Sequence, residues 1–94
     1  MRLKDYEKTS IINEILGIDP NAEIYLCGSR TDDKASGGDI DIVIISEILD
    51  FNSKIKIKKK LFKNIGEQKI DLIITKDGKD PFSSIMMEEG IKLN

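Results

Sequence analysis

The stretch of sequence that decides the fold is EIYLCGSRTDDKASGGDIDIVII, residues 23–45. Its two ends, Glu23–Cys27 and Asp39–Ile45, are rich in β-branched and other large apolar residues, which favours two short strands. The loop between them is polar and has no apolar residue larger than Ala35. We therefore expect a strand that runs directly into Gly28-Ser29, a loop over 30–38, and a second strand that has Asp39 and Asp41 among its first three residues.

Outward from this stretch, apolar spacing predicts three helices and one more strand. A first helix covers about 5–16, and a second covers about 53–65 with one apolar face formed by Ile57, Leu61, Phe62 and Ile65. A third strand covers 69–75. A final helix follows Asp80-Pro81, a typical N-cap and first helical residue, and carries a stripe of Phe82, Ile85 and Met86.

The resulting order is helix, strand, loop, strand, helix, strand, helix, in a single domain over 1–94. This order indicates an α/β (α+β) fold in which helices pack on a small mixed β-sheet. The second and third strands pair either parallel, across the intervening helix, or antiparallel, because short strands allow both.

Composition excludes several kinds of chemistry. The chain has no His and one cysteine, Cys27, which removes histidine bases, the common zinc sites and an internal disulfide. The 15 basic and 17 acidic residues give a net charge of −2, so wholesale electrostatic binding of nucleic acid is not expected. We find no secretory signal and no apolar run that spans a bilayer, and we expect a cytoplasmic protein.

Three aspartates stand out against apolar surroundings. Asp39 and Asp41 lie on the same face of one strand, and Asp71 is surrounded by large aliphatic residues in the next. Neighbouring carboxylates repel one another, and a hard cation such as Mg²⁺ relieves that repulsion. The alternative without a function is that these aspartates are solvated or cap nearby N–H groups. This alternative fits Asp39 better than the other two, because Gly38-Asp39 is also a turn signature.

Gly28-Ser29 is a weak signal alone, but after a strand its backbone N–H groups and hydroxyl suit a phosphate. With the loop and Asp39-Ile40-Asp41, it resembles the signature of the DNA polymerase β-type nucleotidyltransferase superfamily. More narrowly, the chain is similar to the minimal nucleotidyltransferases, antitoxins that act on HEPN-domain toxins. The segment 65–72 resembles that group's third-carboxylate strand, and 82–93 its C-terminal helix.

The resemblance implies a Mg²⁺-dependent enzyme that transfers AMP from ATP to a hydroxyl, most often a tyrosine, of a HEPN toxin. Gly28, Ser29 and Arg30 would bind the nucleotide, with Arg30 alternatively a solvated loop residue. Asp39, Asp41 and Asp71 would be catalytic and ligate the metal. The family often carries a second Arg soon after the first, where this chain has Asp32-Asp33.

Two further interpretations stay open. A binding module could neutralise its partner by contact alone, with weak or no catalysis. The lysine-rich helix over 54–63 could bind RNA, and so support nucleotidylation of RNA ends, or dock an acidic partner, although a solvated helix face is the simplest interpretation.

Overall fold

The computed structural model describes residues 1–94 and contains one four-stranded mixed sheet. The strands are β1 (Glu23–Cys27), β2 (Ile40–Ile45), β3 (Ile70–Thr75) and β4 (Ile91–Lys92), in the spatial order β3-β2-β1-β4. β1 pairs antiparallel with β2 and with β4, whereas β2 and β3 are parallel. The α+β class is thus confirmed. Of the two pairings left open for the second and third strands, the structure has the parallel one, with α2 as the crossover helix.

The helices are α1 (Asp5–Leu16), α2 (Phe51–Ile65) and α3 (Pro81–Met87). α2 begins two residues earlier than predicted because Asp50 caps it and accepts the Ser53 N–H at 2.9 Å. None of these helices combines the length and the apolar character needed to cross a membrane.

The core lies between the sheet and the pair of helices α1 and α2. The alternation expected for β2 holds, because Ile40, Ile42 and Ile44 are fully buried in this core. From α2 the core receives Ile57, Leu61 and Ile65, which recur every fourth residue. Phe62 was predicted on that apolar face, but it lies further around the helix and is 57% exposed.

The C-terminal segment differs from the expected long helix over 82–93. α3 ends at Met87, and the chain then pairs with the free edge of β1 as β4. The N–H of Leu93 donates to the Ile24 carbonyl at 2.8 Å, and this pairing stabilises an extended backbone. Two of the three residues in the stripe predicted for α3, Phe82 and Ile85, face outward and are 61% and 66% exposed, whereas Met86 is half-buried.

Candidate active site

The sheet register brings two of the predicted aspartates side by side. Asp41 is the second residue of β2, Asp71 is the second residue of β3, and the two are direct partners in the parallel ladder. Their strands are therefore about 4.8 Å apart, the usual spacing within a sheet. Asp39 lies two residues before Asp41, just ahead of β2, and the structure thus gathers all three acids at one end of the sheet.

Electrostatic coupling accompanies this proximity. Partial burial raises the pKa of Asp41 above its usual value, and the negative charges of Asp71 and Asp39 raise it further. A hydrogen bond with Asp71 acts in the same direction, whereas the nearby ammonium of Lys69 opposes these effects. The site therefore carries an excess of negative charge that an additional cation would relieve.

Lys69 is the cation closest to Asp39 in this structure, with its Nζ 3.4 Å from Asp39 Oδ2. Our sequence analysis missed this residue, although Lys69 and Asp71 are two positions apart and so share a face of the extended chain. The side chain of Asp39 is 45% exposed, which leaves it accessible to another partner.

The donor set is chemically suited to Mg²⁺, since the three side chains offer only hard carboxylate oxygens. The side-chain positions do not themselves form a finished ligand cluster: no three His, Cys, Asp or Glu residues are arranged to hold a metal ion. Asp39, Asp41 and Asp71 would hold the cation once Asp39 exchanged Lys69 for it.

The Gly28-Ser29 turn packs directly against these acids. Gly28 begins a single 3₁₀ turn, Gly28–Thr31, whose last two residues belong to the loop predicted over 30–38. Its φ is +71°, and a side-chain carbon at this position would approach Asp41 Oδ2 more closely than 3.0 Å. Glycine is therefore required twice here, by its backbone conformation and by the close approach to a candidate metal ligand.

A second glycine fixes the other side of the turn. Gly38 has a φ of +89°, and an added side-chain carbon would overlap Ser29 Oγ. Gly28 and Ser29 are both exposed. The turn thus presents backbone and hydroxyl groups to solvent immediately beside the carboxylates, as a phosphate-binding turn requires.

The Arg30 side chain stabilises the loop through hydrogen bonds to backbone carbonyls. Its Nε donates to the Gly38 carbonyl at 3.2 Å, and its Nη1 donates to the Arg2 carbonyl at 3.0 Å. The third guanidinium nitrogen, Nη2, makes no hydrogen bond to the protein and remains available to a ligand. The Arg30 side chain can therefore stabilise the loop and contact a phosphate at the same time.

Arg2 is the second residue that sequence reasoning missed. Its guanidinium donates to three loop carbonyls, those of Ser29 (2.9 Å), Asp32 (2.8 Å) and Gly37 (2.8 Å). Its own N–H donates to the Arg30 carbonyl at 2.7 Å. An arginine near the N-terminus thus stabilises the loop that contains Asp32-Asp33, and no local sequence motif indicates this contact.

Comparison with known proteins agrees with this geometry. The family model described as nucleotidyltransferase domain matches residues 8–93, nearly the whole chain. No curated protein matches the chain significantly. The matched region contains the Gly28-Ser29 turn and all three aspartates, although Arg2 lies outside it. The chain therefore belongs to the nucleotidyltransferase domain family.

Proposed function

We propose that this chain is a Mg²⁺-dependent protein adenylyltransferase that transfers AMP from ATP to a hydroxyl of a HEPN-domain toxin, and so acts as its antitoxin. Family membership supports nucleotidyl transfer as the reaction class. The observation that carries the proposal is the packing of the exposed Gly28-Ser29 turn against Asp41, which is itself paired with Asp71. Donor, acceptor class and biological role follow from the resemblance to minimal nucleotidyltransferases.

Nucleotide binding falls to the glycine-serine turn. The backbone N–H groups of this turn and the Ser29 hydroxyl bind the triphosphate, and Gly28 keeps the phosphates close to the acids. Arg30 directs its unbonded Nη2 to a phosphate oxygen. Bound Mg²⁺ would offset part of the negative charge of the triphosphate and the three carboxylates, which is the charge compensation that this site needs.

The transfer is a direct displacement that needs no covalent enzyme intermediate. The acceptor hydroxyl oxygen forms a bond to the α-phosphorus of ATP, and the bond from that phosphorus to the α–β bridging oxygen breaks. Pyrophosphate leaves with the bonding electrons, and the hydroxyl proton passes to the Asp71 carboxylate. This reaction depends on positioning and charge neutralisation, which the loop and the acids are placed to supply.

Intact mass spectrometry of a HEPN-domain partner tests the proposal. The partner is incubated with this chain, ATP and Mg²⁺, and the matched control carries Asp39→Ala with Asp41→Ala. We expect mass gains in whole AMP units that are absent with the control variant. An unmodified partner, under conditions in which the chain binds ATP, would refute adenylyl transfer to this class of acceptor.

One observation favours a second candidate function, stoichiometric neutralisation by contact. Asp39 is paired with Lys69, and the acids form no finished ligand cluster. The two functions differ in their response to Asp41→Asn. If the chain acts by contact alone, this variant still protects cells from the toxin, whereas an enzyme loses protection.

A further inference from the structure

Two adjoining cavities open beside Asp71, and neither is lined by Gly28 or Ser29. The larger measures about 440 Å³, and the smaller measures about 280 Å³ and reaches Asp41. Lys58 and Asp71 line both, so the cavities form one continuous groove between α2, β3 and α3. We call it the α2–α3 groove. The groove therefore gives access to Asp41 and Asp71 from the surface formed by α2, β3 and α3.

Exposed apolar side chains border this groove on both helices. Phe62 lines the larger cavity and Phe82 the smaller, with 57% and 61% of their surface accessible. Phe51 and Ile55 occupy the same side of α2 as Phe62, at helical spacing, and are 72% and 38% exposed. Aromatic and aliphatic groups clustered in this way are typical of a surface that contacts another protein.

Lysines outnumber acidic residues among the side chains that line the groove. Lys54, Lys58, Lys59 and Lys69 line it, and only Lys69 makes an ion pair in this structure. The chain as a whole has a net charge of −2, so this positive region is a local feature. Three unpaired lysines beside two phenylalanines complement a partner that combines carboxylates with apolar side chains.

We infer that the α2–α3 groove docks an acidic, apolar segment of a partner protein and directs a hydroxyl of that segment toward Asp71. The role of the hydroxyl rests on the proposed function. Acidic side chains contact Lys58 and Lys59, and an aromatic acceptor packs against Phe62 and Phe82. RNA fits less well, because a phosphate at every nucleotide would approach Asp41 and Asp71, and because Phe51 and Ile55 match apolar side chains.

A binding experiment that does not depend on catalysis tests the inference. The ¹⁵N-labelled protein is titrated with a short synthetic peptide in which one tyrosine is flanked by glutamates and leucines. A second peptide has lysines in place of the glutamates, and a single-stranded RNA with a free 3′ hydroxyl is titrated in parallel. We expect amide shifts around Lys58, Phe62 and Phe82 with the acidic peptide, and a weaker response to the other two probes.

Matched variants separate the groove from general charge. Lys58→Glu with Lys59→Glu should weaken acidic-peptide binding by about tenfold or more. The control variant, Lys56→Glu with Lys63→Glu, makes the same charge change on α2 at two lysines that line neither cavity. Because these lysines lie outside the groove, the control should change the affinity for the acidic peptide by less than about twofold. Phe62→Ser should also weaken binding, whereas Tyr6→Ser, a similarly exposed aromatic residue on α1, should not. Thermal unfolding confirms that each variant folds.

The inference is overturned if the RNA binds more tightly than the acidic peptide, if both lysine pairs weaken binding equally, or if the shifts map outside the groove. Its failure is distinct from failure of the proposed function. If the Lys58→Glu with Lys59→Glu variant still transfers AMP to the partner with an unchanged KM for that partner, the docking role of the groove is refuted and the proposed function is not. Peptide binding in the groove without AMP transfer to any partner refutes the enzyme alone.

Discussion

Replacement of Asp41 by asparagine should make the free protein more stable while it removes activity. Asp41 and Asp71 are direct ladder partners, and two unit charges about 5 Å apart repel by about 1 kcal/mol in water and about 3 kcal/mol at an effective dielectric constant of about 20. Because Asp41 is only partly buried, we expect a gain of about 1–2 kcal/mol at pH 7. For a domain of this size, each kcal/mol corresponds to about 4–8 °C in Tm.

The gain should depend on pH in a defined direction. The pKa of Asp41 is raised above its ordinary value of 3.8 in the folded protein, so the protonated form stabilises the native state at low pH. This contribution is lost as the pH rises through the raised pKa. The stability difference between Asp41→Asn and the original protein should therefore be smallest below pH 3.8 and should grow as the pH rises through the raised pKa.

Thermal unfolding across this pH range, with and without Mg²⁺, measures both effects. A cation that binds with a Kd of about 1 mM adds about 1.4 kcal/mol at 10 mM, and only the original protein should show this gain. Glu67→Gln is the matched control, since it removes one charge from an exposed side chain. If Asp41→Asn is less stable than the original protein at pH 7 while Glu67→Gln is unchanged, the acids are not a repulsive cluster.

Three further predictions concern the loop and a helix end. Arg2→Ala should raise the KM for ATP by about tenfold with a smaller effect on kcat, and Arg2→Lys should not restore it, because one ammonium cannot span three carbonyls. Gly38→Ala should impair ATP binding because its side chain displaces the Ser29 hydroxyl, whereas Gly37→Ala, also at positive φ but with open space around it, should cost only about 1 kcal/mol of stability. Calorimetric ATP titration and thermal unfolding distinguish them. Asp50→Ala should lower the Tm at pH 7, with a difference that shrinks as the pH falls through the lowered pKa of Asp50.

Local signals in the sequence were sufficient for most of the fold. The alternation of aspartate and isoleucine predicted which face of β2 enters the core, and Asp80-Pro81 predicted where α3 begins. Both signals depend on a few adjacent residues, so no tertiary context was needed. The same reasoning placed the three acids on neighbouring strands, and the register brings Asp41 and Asp71 together.

Interactions between distant residues were beyond this reasoning. Arg2 bonds to loop carbonyls about 30 positions along the chain, and neither residue type nor spacing indicates that contact. The helix expected over 82–93 gave way to β4 because the unpaired edge of β1 was available to it. Phe62 and Phe82 were assigned to apolar faces by periodicity, yet both are exposed because each helix buries only a narrow side.

Transfer of isotope from ATP to a HEPN-domain partner tests the central claim most directly. In parallel reactions with Mg²⁺, ATP carries the label on its α-phosphate or on its γ-phosphate. We predict that the α label enters the partner and that the γ label leaves as pyrophosphate. A partner that acquires the γ label would indicate phosphoryl transfer, and a partner that acquires neither would contradict an enzymatic role toward it.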